Sequence, residues 1–145
     1  MISDAISVLL IDGNDRDRER YAQQLRACSS QYNVTQAATG QAGLNHYARQ
    51  PIDCVVVEID LPDMSGFQVL ASLVPSASHP ETAVVVYTSL SNPYLLELAL
   101  KNGARAALRK IAPVNSLLDR SILDAISSVK NDRERRNGHR LSFML

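Results

Sequence analysis

The chain has 145 residues, with 15 Lys plus Arg against 15 Asp plus Glu, and is 46% hydrophobic and 21% charged. That length suits one domain around one core, and the composition excludes disordered and fibrous classes. Balanced charge gives no general attraction to nucleic acid or to an anionic membrane, so neither is an expected partner of this domain.

The longest apolar runs, such as 54–57 and 83–87, fall far short of the ~20 residues a membrane helix needs. The segment 1–7 lacks the basic start and long apolar stretch of a signal peptide, which predicts a cytoplasmic protein. Only Cys28 and Cys54 are present, too few and too far apart for a disulfide framework or a zinc site.

In chain order, residues 7–11 (SVLLI) read as a buried strand ended by the turn formers Asp12-Gly13-Asn14-Asp15. Residues 15–28 carry Tyr21, Ala22 and Leu25 at helical spacing, with Asp15 placed to cap the start. Residues 34–38 give a second strand. Thr39-Gly40 then opens a helix over 41–49 with Leu44, Tyr47 and Ala48 on one face, and Pro51 stops it.

Residues 53–59 (DCVVVEI) form a near-continuous β-branched run, the pattern of a strand covered on both faces in a parallel sheet. The loop Leu61-Pro62-Asp63-Met64-Ser65-Gly66 and a short helix over 67–74 follow. A fourth buried strand spans 82–88 (TAVVVYT), and Asn92-Pro93 starts a helix that Asn102-Gly103 ends. Residues 104–108 supply a short fifth strand. Residues 115–130 make a final amphipathic helix through Leu117, Leu118, Ile122, Ala125, Ile126 and Val129.

Strand and helix thus alternate five times with short connections. This predicts an α/β fold, a doubly wound five-stranded parallel sheet of order 2-1-3-4-5 with helices on both faces. Ligands of such sheets bind beyond the carboxyl ends of the strands, where the strand order reverses, and that places Asp12, Glu58 and Thr88 together. Lys110 arrives from the fifth strand. Converging acids and a lysine suit an oxygen-liking divalent cation beside an anionic group.

The order of elements and the strings LLID, EIDLPDMSG, VVVYTS, LKNGA and LRK resemble the receiver domain of bacterial response regulators, over about residues 7–130. The most specific stretch is Ile59-Asp60-Leu61-Pro62-Asp63-Met64-Ser65-Gly66. The resemblance implies a flavodoxin-like fold and a role in two-component phosphorelay signalling rather than enzyme activity. It implies an aspartate at the end of the third strand that accepts a phosphoryl group from a histidine kinase. Acids after the first strand help bind Mg²⁺, and a lysine and a Ser or Thr hold the phosphoryl oxygens. By position, Asp12 is the first acid, Thr88 the hydroxyl, Lys110 the lysine, and the Asp60 backbone carbonyl a further metal ligand.

The departures are as informative as the matches. The acceptor position holds Glu58, whose stem is longer by one carbon bond, about 1.5 Å, against a tolerance of ~0.5 Å for reacting geometry. Transfer to Glu58 is expected to be slow or absent. Gly13 stands where a second acid is usual, which predicts weak or absent Mg²⁺ binding through Asp12, Glu58 and the Asp60 carbonyl. Ala107 replaces the usual aromatic of the switch, and Ile111 replaces the proline after the lysine, with Pro113 a partial substitute for the turn.

Each surviving residue has a plainer reading. Asp12 is a turn or cap residue, Thr88 a satisfied hydroxyl, and Lys110 an ion-pair partner of Glu58 that fills the pocket without phosphate.

The expected function is a receiver domain over 1–130 with a helical extension or linker tail over 131–145, acting by protein–protein contact without phosphorylation. The competing expectation is a working phosphoacceptor that uses Glu58 or Asp60. Expected partners are a histidine kinase or another signalling protein, and an output domain or second copy at the face of the fourth helix, fifth strand and fifth helix. A flavodoxin-like enzyme or nucleotide binder is the third class, opposed by the lack of a Gly-rich phosphate loop. His46, His79 and His139 lie in unrelated segments and read as surface residues.

Overall fold

The computed structural model describes residues 5–77, 81–111 and 117–144, with side chains described as far as Gly138. Five strands form one parallel sheet: β1 (Ile6–Ile11), β2 (Tyr32–Ala37), β3 (Cys54–Val57), β4 (Ala83–Thr88) and β5 (Ala106–Arg109). Their order is β2-β1-β3-β4-β5, as the alternation of elements predicts. The helices are α1 (Asp15–Cys28), α2 (Gly40–Arg49), α3 (Gly66–Leu73), α4 (Pro93–Lys101) and α5 (Leu117–Met144).

The central strands are apolar on both faces because each face is covered. Val8 and Leu10 of β1, with Cys54 and Val56 of β3, pack against Tyr21, Leu25, Leu118, Ile122 and Val129 of α1 and α5. The alternate residues Leu9, Ile11, Val55 and Val57 pack with Val69, Leu70 and Leu73 of α3 and Ala99 of α4. The period of two along each strand thus feeds two cores.

Local signals differ from the sequence expectations in several places. The cap of α1 is Asn14, whose side chain accepts the Asp17 N–H, while Asp15 lies one residue inside and pairs with Arg18 at 2.8 Å. Ala48 is exposed, because only Leu44 and Tyr47 of its expected face reach the core. Leu117 is exposed at the start of α5 for the same reason of helical phase, whereas Leu118, Ile122, Ala125 and Val129 are buried.

The last helix runs past Lys130 to Met144. Its added turns are held where Arg105, which also donates to Ser128 at 2.8 Å, donates to Asp132 at 2.5 Å, and where Arg133 donates to the Glu81 carbonyl at 3.0 Å. No described helix is long and apolar enough to cross a membrane. His46 is half-buried in α2, while Pro113, His79 and the His139 side chain lie outside the described residues.

Candidate functional site

The register of the sheet brings the site together. Ile11 and Val57 are paired neighbours at the ends of β1 and β3, so Asp12 and Glu58 leave the sheet side by side where the strand order reverses. Thr88 ends β4, and the Lys110 N–H donates to the Thr88 carbonyl at 2.8 Å, which carries the lysine to the same edge. All four predicted side chains therefore converge. Asp12, Glu58 and Lys110 border an open cleft of ≈ 430 Å³ lined also by Gly13, Asn14, Asp17, Asp60, Pro62 and Ser89, with Thr88 buried behind Glu58.

Glu58 is buried and every part of its carboxylate is engaged. Oε1 accepts the Ile59 N–H at 2.8 Å, the Asp60 N–H at 3.2 Å and the Thr88 hydroxyl in a short contact. Oε2 accepts the Ser89 N–H at 3.0 Å and faces Lys110 Nζ at 3.0 Å. Burial alone would raise the Glu58 pKa, but the bonds from Thr88 and Lys110 outweigh it and hold the carboxyl below its ordinary value.

Lys110 binds more than Glu58. Its ammonium stands 2.6 Å from Asp12 Oδ2 and 3.1 Å from Asp17 Oδ2, and lies over the Tyr21 ring at 5.6 Å from the centroid. Burial would lower its pKa, yet the bonds to Asp12 and Glu58 prevail and hold it above the usual lysine range. Asp12 goes the other way: burial, with the charge of Glu58 beside it, keeps its carboxyl above 3.8 despite Lys110. One shared cation does not neutralise both acids.

Comparison with known proteins places the chain in a family. The family model of the response regulator receiver domain matches residues 8–121. The chain belongs to the response regulator receiver domain family. Among curated proteins this receiver is 30% identical over 104 residues to a two-component response regulator of Oryza sativa, covering 71% of this chain and 78% of that one. It is 26% identical over 98 residues, 68% of this chain, to a probable cyclic di-GMP phosphodiesterase of Vibrio cholerae, of which the match spans 22%.

Among solved structures, a receiver domain protein from Clostridium thermocellum superposes with a TM-score of 0.74 at 26% identity, covering 86% of this chain and 97% of that one. The signal receiver domain of an HD domain-containing protein from Pseudomonas fluorescens Pf-5 gives 0.77 at 24% identity, covering 93% and 96%, and shows the same fold.

Two residues of this receiver's site escape a reading of the sequence alone. Asp17 supplies a carboxylate from the first turn of α1. Arg18 pins the β1–α1 loop by donating to the Asp12 carbonyl at 2.6 Å and to Gln36 at 3.1 Å. Both sit on a helix whose charges read as a solvated face; the only clue was their nearness to the strand end.

Asp60 stands at the rim of the cleft. Its side chain is exposed, and its backbone bridges to Ser65 and donates to Glu58. Tyr87 does not point at the site: its ring packs edge-on against Tyr21 at 4.9 Å.

The donor set does not fit a Mg²⁺ ion, which demands near-octahedral oxygen ligands at about 2 Å. Asp12 Oδ1 accepts the Asn14 N–H at 2.9 Å, Oδ2 holds Lys110, and both Glu58 oxygens are engaged. Gly13 offers no carboxylate, and a Cβ placed there would meet Pro62 Cδ at 2.9 Å.

Proposed function

We propose that this chain is a receiver that signals through protein contacts without being phosphorylated. Glu58 stands at the phosphoacceptor position, and its own carboxylate takes the partners a phosphoryl group needs. What supports the reading is one observation: Thr88, Ser89 and Lys110 all contact the Glu58 carboxylate. In receivers a hydroxyl and a lysine serve the phosphoryl oxygens. Glu58 imitates that state in part only, since a phosphate brings about −2 of charge and three acceptor oxygens.

The docking face of this reading is α4, β5 and α5. Tyr94, Leu100, Ile111, Leu117 and Leu123 are the large exposed hydrophobic residues among the described ones, and all lie on α4, on α5 or just after β5. Exposed apolar side chains on these three neighbouring segments support a protein contact, here with an output domain, a second copy or another signalling protein. The listening side, a histidine kinase, is retained only if phosphate still enters.

Incubation with Mg²⁺ and acetyl phosphate, followed by intact mass, tests the proposal. The natural chain is expected to gain nothing, while Glu58→Asp, which withdraws the carboxylate and opens the pocket, gains one phosphoryl group. Phosphorylation of the natural chain, on Glu58 or Asp60, makes it a working phosphorelay receiver and overturns the proposal.

A further inference from the structure

Three carboxylates from three elements surround one ammonium. Asp12 follows β1, Asp17 lies in the first turn of α1 and Glu58 follows β3; their oxygens stand 2.6, 3.1 and 3.0 Å from Lys110 Nζ. A protonated lysine has three N–H donors, which matches the three acceptors in number. We infer that Lys110, held in place by Glu58, is the resident cation of this receiver, taking the place a divalent metal would otherwise take beside Asp12 and Glu58, and that the site of the natural chain is thereby closed to Mg²⁺. This inference rests on the reading of Glu58 as the permanent occupant of the pocket.

Burial makes the ammonium hard to displace. The Lys110 side chain is 8% exposed, and the ring of Tyr21 covers it on one side. A metal entering beside Asp12 and Glu58 would have to move that ammonium off its carboxylates and off the Tyr21 ring, at a cost in lost ion pairs and cation–π contact.

Asp17 strengthens the hold. Arg20 pairs with its other oxygen at 2.8 Å, so both Asp17 oxygens face cations. On the other side of the cleft Pro62 closes on Gly13, so that no acid at position 13 fits without moving the loop. Among the described residues no group of three or more His, Cys, Asp or Glu side chains is arranged to hold a metal ion. Asp12, Asp17 and Glu58 are arranged around nitrogen instead.

The test is a titration of the ¹⁵N-labelled chain with MgCl₂, without acyl phosphate, against NaCl of equal ionic strength. The reporters are the amides of Asn14, Ile59, Asp60 and Ser89, each of which donates to Asp12 or Glu58. The natural chain is expected to show no saturable shift there and no change in Tm. Lys110→Met leaves the three acids without a shared cation, and is expected to bind Mg²⁺ with saturation, roughly tenfold or more tighter than the natural chain, and to melt higher with it.

Should Lys110→Met fail to fold, Lys110→Gln, which keeps a neutral donor to the acids, carries the same expectation. Saturable Mg²⁺ shifts at these amides in the natural chain overturn the inference, and so does a Lys110 variant as blind to Mg²⁺ as its parent. Because acyl phosphate is left out, a failure here is separate from a phosphoryl gain in the mass measurement, which would count against Glu58 as occupant.

Discussion

Lys110 Nζ lies 3.0 Å from Glu58 Oε2, and the two side chains are 8% and 3% exposed. Charges this far from water need partners, because an unpaired one is costly to bury. The site meets that need internally, with Thr88 and Ser89 completing the carboxylate.

Thr88 is fully buried and donates its hydroxyl to Glu58. Thr88→Val keeps the shape and removes the donor, leaving a buried carboxylate short of one bond. A loss of about 1–3 kcal/mol is expected from urea denaturation, without change in the slope. A neutral result would mean that Glu58 does not depend on Thr88.

The acid side of the stability profile follows from the same groups. Glu58 and Asp17 are both desolvated, yet their hydrogen bonds, above all those from Thr88 and Lys110, hold them below their ordinary values. A lowered folded pKa gives stability that is present above the unfolded value, 4.5 for Glu58, and is lost as pH falls through the folded value. Asp12, raised by burial, acts oppositely: its share is present at low pH and is lost as pH rises through its folded value, which softens the acid limb.

The share of Lys110, raised by Asp12 and Glu58 over the pull of burial, is present below 10.5 and lost only above that. Urea midpoints are therefore expected to fall as pH drops below 4.5 and to persist into alkaline buffer. A midpoint that climbs as pH drops from about 6 to about 3 would contradict this assignment of charges.

Gly103 has φ +103 at the turn from α4 into β5, and a Cβ there would meet Val74 Cγ1 at 2.6 Å. Gly103→Ala is expected to cost about 1–2 kcal/mol through the left-handed backbone alone, and more through the contact. Thermal melting of the pair measures it. Since Lys110 directly follows β5, the site amides are expected to shift with it.

Much of the fold was legible because parallel strands covered on both faces announce themselves. The runs around 8–11, 54–57 and 83–88 are apolar without alternation, and turn formers separate them from helical patterns. The strand ends then named Asp12, Glu58, Thr88 and Lys110. Asp17 and Arg18 stayed hidden because a helix turns every 3.6 residues and the sequence does not say which charges of its first turn face a loop. The length of α5 was left open between a helical extension and a linker: residues 131–138 are polar, and among the described residues Arg105 and Glu81, distant in sequence, help hold them in place.

Whether Glu58 permanently fills its pocket can be read through the amides that donate to its carboxylate. Ser89, Ile59 and Asp60 are to be followed in the ¹⁵N spectrum of the natural chain and of Glu58→Asp, before and after Mg²⁺ with acetyl phosphate. These signals are expected to stay still in the natural chain, where the pocket is already filled, and to move in Glu58→Asp. Movement of the same amides in the natural chain, reversed as the acyl phosphate is spent, would show that phosphate enters the pocket and that Glu58 is not its permanent occupant.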